Sequence, residues 1–141
     1  VQMAMVAGAI ANGGTAMAPR LMTRIVDRGG SLVQRGEPEE LGQVMSPSNA
    51  AELAAMMEDV VREGTGTRAA LSGVGVTVAG KTGTAESDDP NRNQAWFIGF
   101  APAEDPQVAV AVVIEDTGLT GGEAAAPVAA AVMDSALQVA P

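Results

Sequence analysis

Three strand-like runs crowd into the second half of this chain, Val74–Thr84, Gln94–Ala101 and Val108–Ile114, and the links between them are short. Ser87–Asn93 and Pro102–Pro106 cannot carry a parallel crossover, which takes a dozen or more residues, so the runs are expected as antiparallel neighbours. The first run is β-branched and punctuated by glycine, and the second holds every aromatic residue, Trp96, Phe97 and Phe100. The third is almost wholly apolar and is expected to be covered on both faces.

With so few aromatic residues, Ala, Val and Met must fill the core, which favours close packing of helices on a sheet. Met3, Val6, Ala7 and Ile10 form a helical stripe stopped by Asn12-Gly13-Gly14. Leu21–Val26 and Ser31–Gln34, joined through Arg28-Gly29-Gly30, read as a hairpin, followed by a polar connector from Glu37 to Gly42. Ser46-Pro47 starts a second helix, with Ser as the cap and Pro at the first helical position. Leu53, Met56, Met57, Val60 and Val61 share its expected inner face, the Met pair as core filler. Gly64-Thr65-Gly66-Thr67 and Ser72-Gly73 mark loops, and Gly121-Gly122 leads into an Ala-rich helix with Pro127 near its first turn. The class is α+β, an antiparallel sheet packed by helices.

Composition removes several chemistries. There is no histidine and no cysteine, which excludes Ser-His-Asp and Cys-His catalysis and any disulfide, and disfavours zinc. No cofactor is implied. The net charge of −9 argues against nucleic acid, whose phosphates need basic patches. No basic amphipathic stretch points to a membrane surface, and Val1–Ala11 is too short to span a bilayer. The chain opens at Val1 without an initiator Met, and is expected to be a piece of something longer.

Lys81 is the sole lysine beside seven arginines, so a compact point charge stands where a planar fork does not. Gly75-Val76-Thr77-Val78-Ala79-Gly80-Lys81-Thr82 matches the phosphate-loop pattern G-x-x-x-x-G-K-T, and Ala111–Asp116 imitates a magnesium-binding strand. A phosphate loop, however, needs a turn before Lys81 and a helix after it. Val-Thr-Val-Ala favours extended structure, and Gly83–Pro90 has no apolar helical stripe. The alternative places Lys81 on a strand, with Thr82 and Thr84 on the opposite side and Gly83 bare for close approach of another backbone. Such a strand suits an extended peptide ending in carboxylate. At ~4 Å and an effective dielectric near 20, the Lys–carboxylate attraction is on the order of 4 kcal/mol before desolvation.

Lys81-Thr82-Gly83-Thr84 resembles the K-T-G motif of penicillin-binding proteins and serine β-lactamases. Ala9–Gly14 with Pro19, Gly64–Thr67, Ala95–Pro102, and Gly121-Gly122 with Ala124–Pro127 occur in the order seen in class B penicillin-binding transpeptidases. The chain looks most like the actinobacterial penicillin-binding protein A type. The resemblance implies a partial penicillin-binding/serine β-lactamase-like transpeptidase domain, with residues 1–141 as its C-terminal portion. It implies that Lys81 lies at the floor of an acyl-transfer site and that Thr82 and Thr84 bind the carboxylate of a peptidoglycan stem peptide or β-lactam. Gly83 belongs to the same wall, and the Thr84 backbone N–H is one oxyanion-hole donor, a type of interaction worth ~2.7–4 kcal/mol in the transition state. It also implies an extracytoplasmic, cell-envelope location through an anchor upstream. Gln94 stands where many relatives carry His.

The family's other motifs are missing. Val78 stands three residues before Lys81, so there is no S-x-x-K, and no Ser is followed two positions later by Asn. The chain is therefore expected to depend on an upstream part of the same protein for its nucleophile and to be inactive alone, with an open sheet edge. A non-catalytic relative that binds cell-wall peptide is the alternative, distinguished by whether S-x-x-K and S-x-N precede Val1. Asp89–Asn93 has the first spacings of a calcium loop but lacks its Gly and Glu, and reads as an exposed turn. Glu115 and Asp116 read as a solvent-facing strand end, and Trp96 as a core anchor of its strand.

Overall fold

A computed structural model describes residues 1–73 and 75–139. Helix α1 (Gln2–Ala11) ends where Asn12, Gly13 and Gly14 turn the chain, the two glycines at φ 60° and 90°. Strand β1 (Thr15–Met17) follows, and β2 (Arg24–Val26) pairs antiparallel with β3 (Leu32–Arg35) in the expected hairpin. Asp27 Oδ1 closes its turn by accepting from the N–H groups of Gly29 and Ser31 at 2.8 and 2.9 Å. The expected connector is not all loop: β4 (Glu40–Gln43) pairs antiparallel with β1. Apart from the half-buried Gly42 its residues are exposed and show no burial alternation. The strand is made by its backbone pairing with β1 and by the Gln43 side chain, which accepts from Thr15 Oγ1 and donates to the Gly13 carbonyl.

Helix α2 (Pro47–Arg62) begins as the Ser-Pro pair requires, with Ser46 Oγ accepting from Asn49 N at 3.2 Å. Its buried residues are Ala50, Met57 and Val61, whereas Met56 is 60% exposed. The Met pair therefore splits: adjacent helical residues lie 100° apart, and only Met57 faces the sheet. In α1 the buried set is Ala7, Ala9 and Ile10, with Val6 exposed.

Strands β5 (Ala79–Ala85), β6 (Asn93–Ala101) and β7 (Val108–Thr117) form an antiparallel sheet in that order, leaving β5 and β7 at its edges among the described residues. The first strand-like run is thus shorter than its sequence pattern. Val76 makes only a bridge to Leu71, and Val74 lies outside the described residues. Helix α3 (Gly121–Val139) closes the chain, with Pro127 well past the first turn. No helix among the described residues is long and apolar enough to cross a membrane.

The period-two alternation of β6 divides the core. Phe97 joins Val78, Val110, Ala125, Ala126, Ala129 and Met133 on the α3 face, while Phe100 joins Ile10, Met57 and Ala79 on the α1–α2 face. The small residues of α3 bring it close enough for Phe97 to be fully buried, a side-chain burial worth ~1.5–3 kcal/mol. Helices α1 and α3 both pack on β7, yet the strand is not covered throughout as its apolar run suggested: Ala109 and Val113 are exposed.

Candidate active site

Strand β5 carries Lys81, Thr82, Gly83 and Thr84 along the edge of the sheet, in register with Ile98, Phe97, Trp96 and Ala95 of β6. Lys81 therefore continues a strand and does not open a helix, which rules out the phosphate-loop geometry. Alternation sorts the four residues as expected. Thr82 and Thr84 share the face of Phe97 and Ala95, turned toward α3, and Lys81 and Gly83 share the opposite face with Ile98 and Trp96.

On that opposite face Lys81, Trp96, Ile98 and Met3 of α1 border a cleft of about 370 Å³, with the Thr82–Ala85 strand as one wall. Trp96 is only half-buried and belongs to this cleft, not to the core. Its neighbours Ala95 and Phe97 take the inward positions, so the one indole is left on the face where α1 does not fully cover the sheet. Lys81 is exposed, and its Nζ donates to the carbonyl of Thr82 at 2.7 Å, which holds the ammonium along the strand.

The hydroxyls on the α3 face are held by residues distant in sequence. Thr82 Oγ1 lies 2.6 Å from Thr65 Oγ1, and Thr84 Oγ1 accepts from Gly121 N at 3.4 Å. The start of α3 reaches β5 because residues 121 and 122 have no side chain. A Cβ on Gly121 would collide with the carbonyls of Gly83 and Trp96, and one on Gly122 with the carbonyl of Thr65. The close backbone approach expected at Gly83 is thus made by Gly121, and the glycine that cannot be replaced is the approaching one.

The helix start is also electrostatically organised. Glu123 accepts from Thr120 N and Thr120 Oγ1 at 3.0 and 2.8 Å, the carboxylate half of a capping box. These two bonds, the backbone one first, hold its carboxyl below the ordinary range, with Arg68 adding a smaller pull.

Residues outside the cleft separate from the site. Asp116 accepts from Arg92 Nε at 3.0 Å in an exposed pair, a contact of little energetic weight. Asp89–Asn93 is occupied by a 3-10 turn at Pro90–Arg92, with Asp89 Oδ1 accepting from Asn91 N. Gln94 is exposed opposite Ala85. Three neighbours of this strand are not announced by residue type: Thr65 beside Thr82, Gly121 beside Gly83 and Thr84, and Met3 across the cleft from Lys81. The repeated Gly-Thr of Gly64–Thr67 was the available signal for Thr65.

The chain as a whole has clear relatives. The model of the penicillin binding protein transpeptidase domain matches residues 1–134. The peptidoglycan D,D-transpeptidase PbpA of Mycolicibacterium smegmatis is 41% identical over 148 residues, covering 98% of this chain and 29% of that protein. Among solved structures, the D,D-transpeptidase domain of a peptidoglycan glycosyltransferase from Eggerthella lenta superposes with a TM-score of 0.85 at 44% identity, covering 98% of this chain and 31% of that one. Penicillin-binding protein A of Mycobacterium tuberculosis, solved as its ceftriaxone acyl-enzyme complex, gives 0.86 at 37% identity, covering 96% and 31%. The chain therefore spans less than a third of the length of these relatives. With the match running through nearly all its residues, this chain belongs to the penicillin-binding protein transpeptidase domain family.

Proposed function

We propose that this chain is the C-terminal portion of a peptidoglycan D,D-transpeptidase domain, and that it builds one wall of the acyl-transfer site without supplying the nucleophile. The observation that carries this is the placement of Lys81-Thr82-Gly83-Thr84 on an edge strand, where an extended acyl donor can lie alongside. Lys81 contributes positive charge at the floor of the site, and Thr82 and Thr84 bind the carboxylate of a stem peptide or β-lactam. The backbone N–H of Thr84 is one oxyanion donor; such donors act because they point at charge that develops only in the transition state.

The acylating serine comes from an upstream part of the same protein, since neither S-x-x-K nor S-x-N occurs within the chain. The whole protein works outside the cytoplasm at the cell wall, held to the envelope by an upstream anchor. Support comes from the relatives, which are named as peptidoglycan transpeptidases and captured as β-lactam acyl-enzymes. Fluorescent penicillin tests the reading on the transpeptidase-length protein, meaning this chain together with the remainder of its domain. That protein is expected to take covalent label and Lys81→Ala to lose it, whereas the 141-residue chain alone stays unlabelled. Full labelling of Lys81→Ala would refute the assignment of Lys81.

A further inference from the structure

Resting on the carboxylate site proposed above, we infer that Thr65 is a positioning residue that makes Thr82 a hydrogen-bond donor to the acyl donor's carboxylate. A threonine hydroxyl has one proton and two lone pairs. A carboxylate is acceptor-only, so Thr82 serves it only by giving up that single proton. The Thr65 Oγ1–Thr82 Oγ1 contact of 2.6 Å can run in either direction. If Thr82 donates to Thr65, its proton is spent inside the protein. If Thr65 donates, the proton of Thr82 is free, and accepting a bond polarises that O–H and strengthens its donation.

Thr84 shows the same logic with its direction settled by chemistry. Its partner is the backbone N–H of Gly121, which can only donate, so Thr84 Oγ1 accepts and its own proton stays free. Both hydroxyls of the pair are then fed by donors from outside β5, Thr65 for one and Gly121 for the other.

The backbone holds Thr65 in place independently of its side chain. Gly64 N and Gly66 N both donate to Val60 O, at 3.1 and 2.9 Å, and Ala69 N returns to Gly66 O at 2.9 Å. The Thr65 carbonyl is pressed against Gly122 at the start of α3. The turn therefore survives loss of the hydroxyl, and Thr65 is exposed, so its removal leaves no cavity.

The test compares acylation of the transpeptidase-length protein by benzylpenicillin and by its methyl ester, which lacks the negative carboxylate. The expected result is that Thr65→Val lowers the acid-to-ester ratio of second-order rates by roughly 3- to 10-fold, the size of one neutral hydrogen bond. Thr65→Ser restores it. Thr82→Val is the reference and lowers the ratio at least as far. An unchanged ratio in Thr65→Val beside a lowered one in Thr82→Val overturns this inference and leaves the carboxylate reading standing. An unchanged ratio in both removes the carboxylate role of Thr82 as well. Equal losses for acid and ester in Thr65→Val mark a merely structural residue and overturn the inference. Thr65→Ala replaces Thr65→Val, with the same outcomes, if the valine variant does not fold.

Discussion

Arg68 Nη1 donates to the backbone carbonyl of Glu123 at 3.4 Å, the carbonyl that Pro127 leaves without a helical donor. Residue 127 would ordinarily give its N–H to the carbonyl four residues earlier, and proline has none. A side chain from the 3-10 turn Thr67–Ala69 thus takes over one rung of α3, tying the loop that carries Thr65 to the helix that carries Gly121. Arg68→Ala is expected to lower stability by about 0.5–1.5 kcal/mol. In a Pro127→Ala background, where residue 127 supplies the N–H, the same change should cost less. A double-mutant cycle by urea unfolding of the transpeptidase-length protein checks this, and strict additivity would contradict the shared carbonyl.

Gly121 is the tightest point between α3 and β5. Gly121→Ala should force the helix start off the strand and cost about 1–3 kcal/mol or more, the range for overpacking, with acylation by β-lactams falling alongside. Gly73→Ala is the control, since a Cβ there meets nothing within 4 Å. Thermal unfolding of the two variants separates a steric cost from a general cost of replacing glycine.

Ser46→Ala removes the cap of α2 and should destabilise by ~1 kcal/mol, the usual size of such a loss. Ser46→Asp should retain most of the stability, because its carboxylate can accept the Asn49 N–H in the same way. Denaturant midpoints of the two variants decide it.

Much of this frame was legible in the residues. The short loops around Ser87–Asn93 and Pro102–Pro106 required antiparallel neighbours, and Ser46-Pro47 marked a helix start that the structure places within a residue. Strand β4 was hidden because Glu40–Gln43 pairs through its backbone and buries almost nothing, so no apolar alternation announces it. Trp96 was misplaced because residue type speaks for the core while strand parity decides the face, and Phe97 holds the inward position. At the site, the placement of Lys81–Thr84 on a strand followed from strand propensity, whereas its position at the sheet edge comes from the strand order. Thr65 did not, because a hydroxyl contact spanning 17 positions is made by the turn after α2 and leaves no local pattern.

Glu123 gives the helix start a pH dependence whose sign is set by its bonds to Thr120. Its carboxyl titrates below the ordinary range in the folded chain, so the unfolded chain takes up the proton first. The stabilisation is complete above the ordinary carboxylate range and is lost as pH falls through the folded value. The stability difference between the native protein and Glu123→Gln should therefore shrink as pH is lowered from about 6 to about 3, around the carboxylate range. Unfolding midpoints across that span measure it, and a difference that widens toward acid would contradict the assignment.

As proposed, Lys81–Thr84 form a transpeptidase wall whose nucleophile lies elsewhere in the protein. Peptide mapping by mass spectrometry, after reaction of the transpeptidase-length protein with benzylpenicillin, tests it most directly. One adduct is expected, on a serine outside residues 1–141, together with its loss in Lys81→Ala. An adduct on any residue of this chain, or the same adduct undiminished without Lys81, would contradict it.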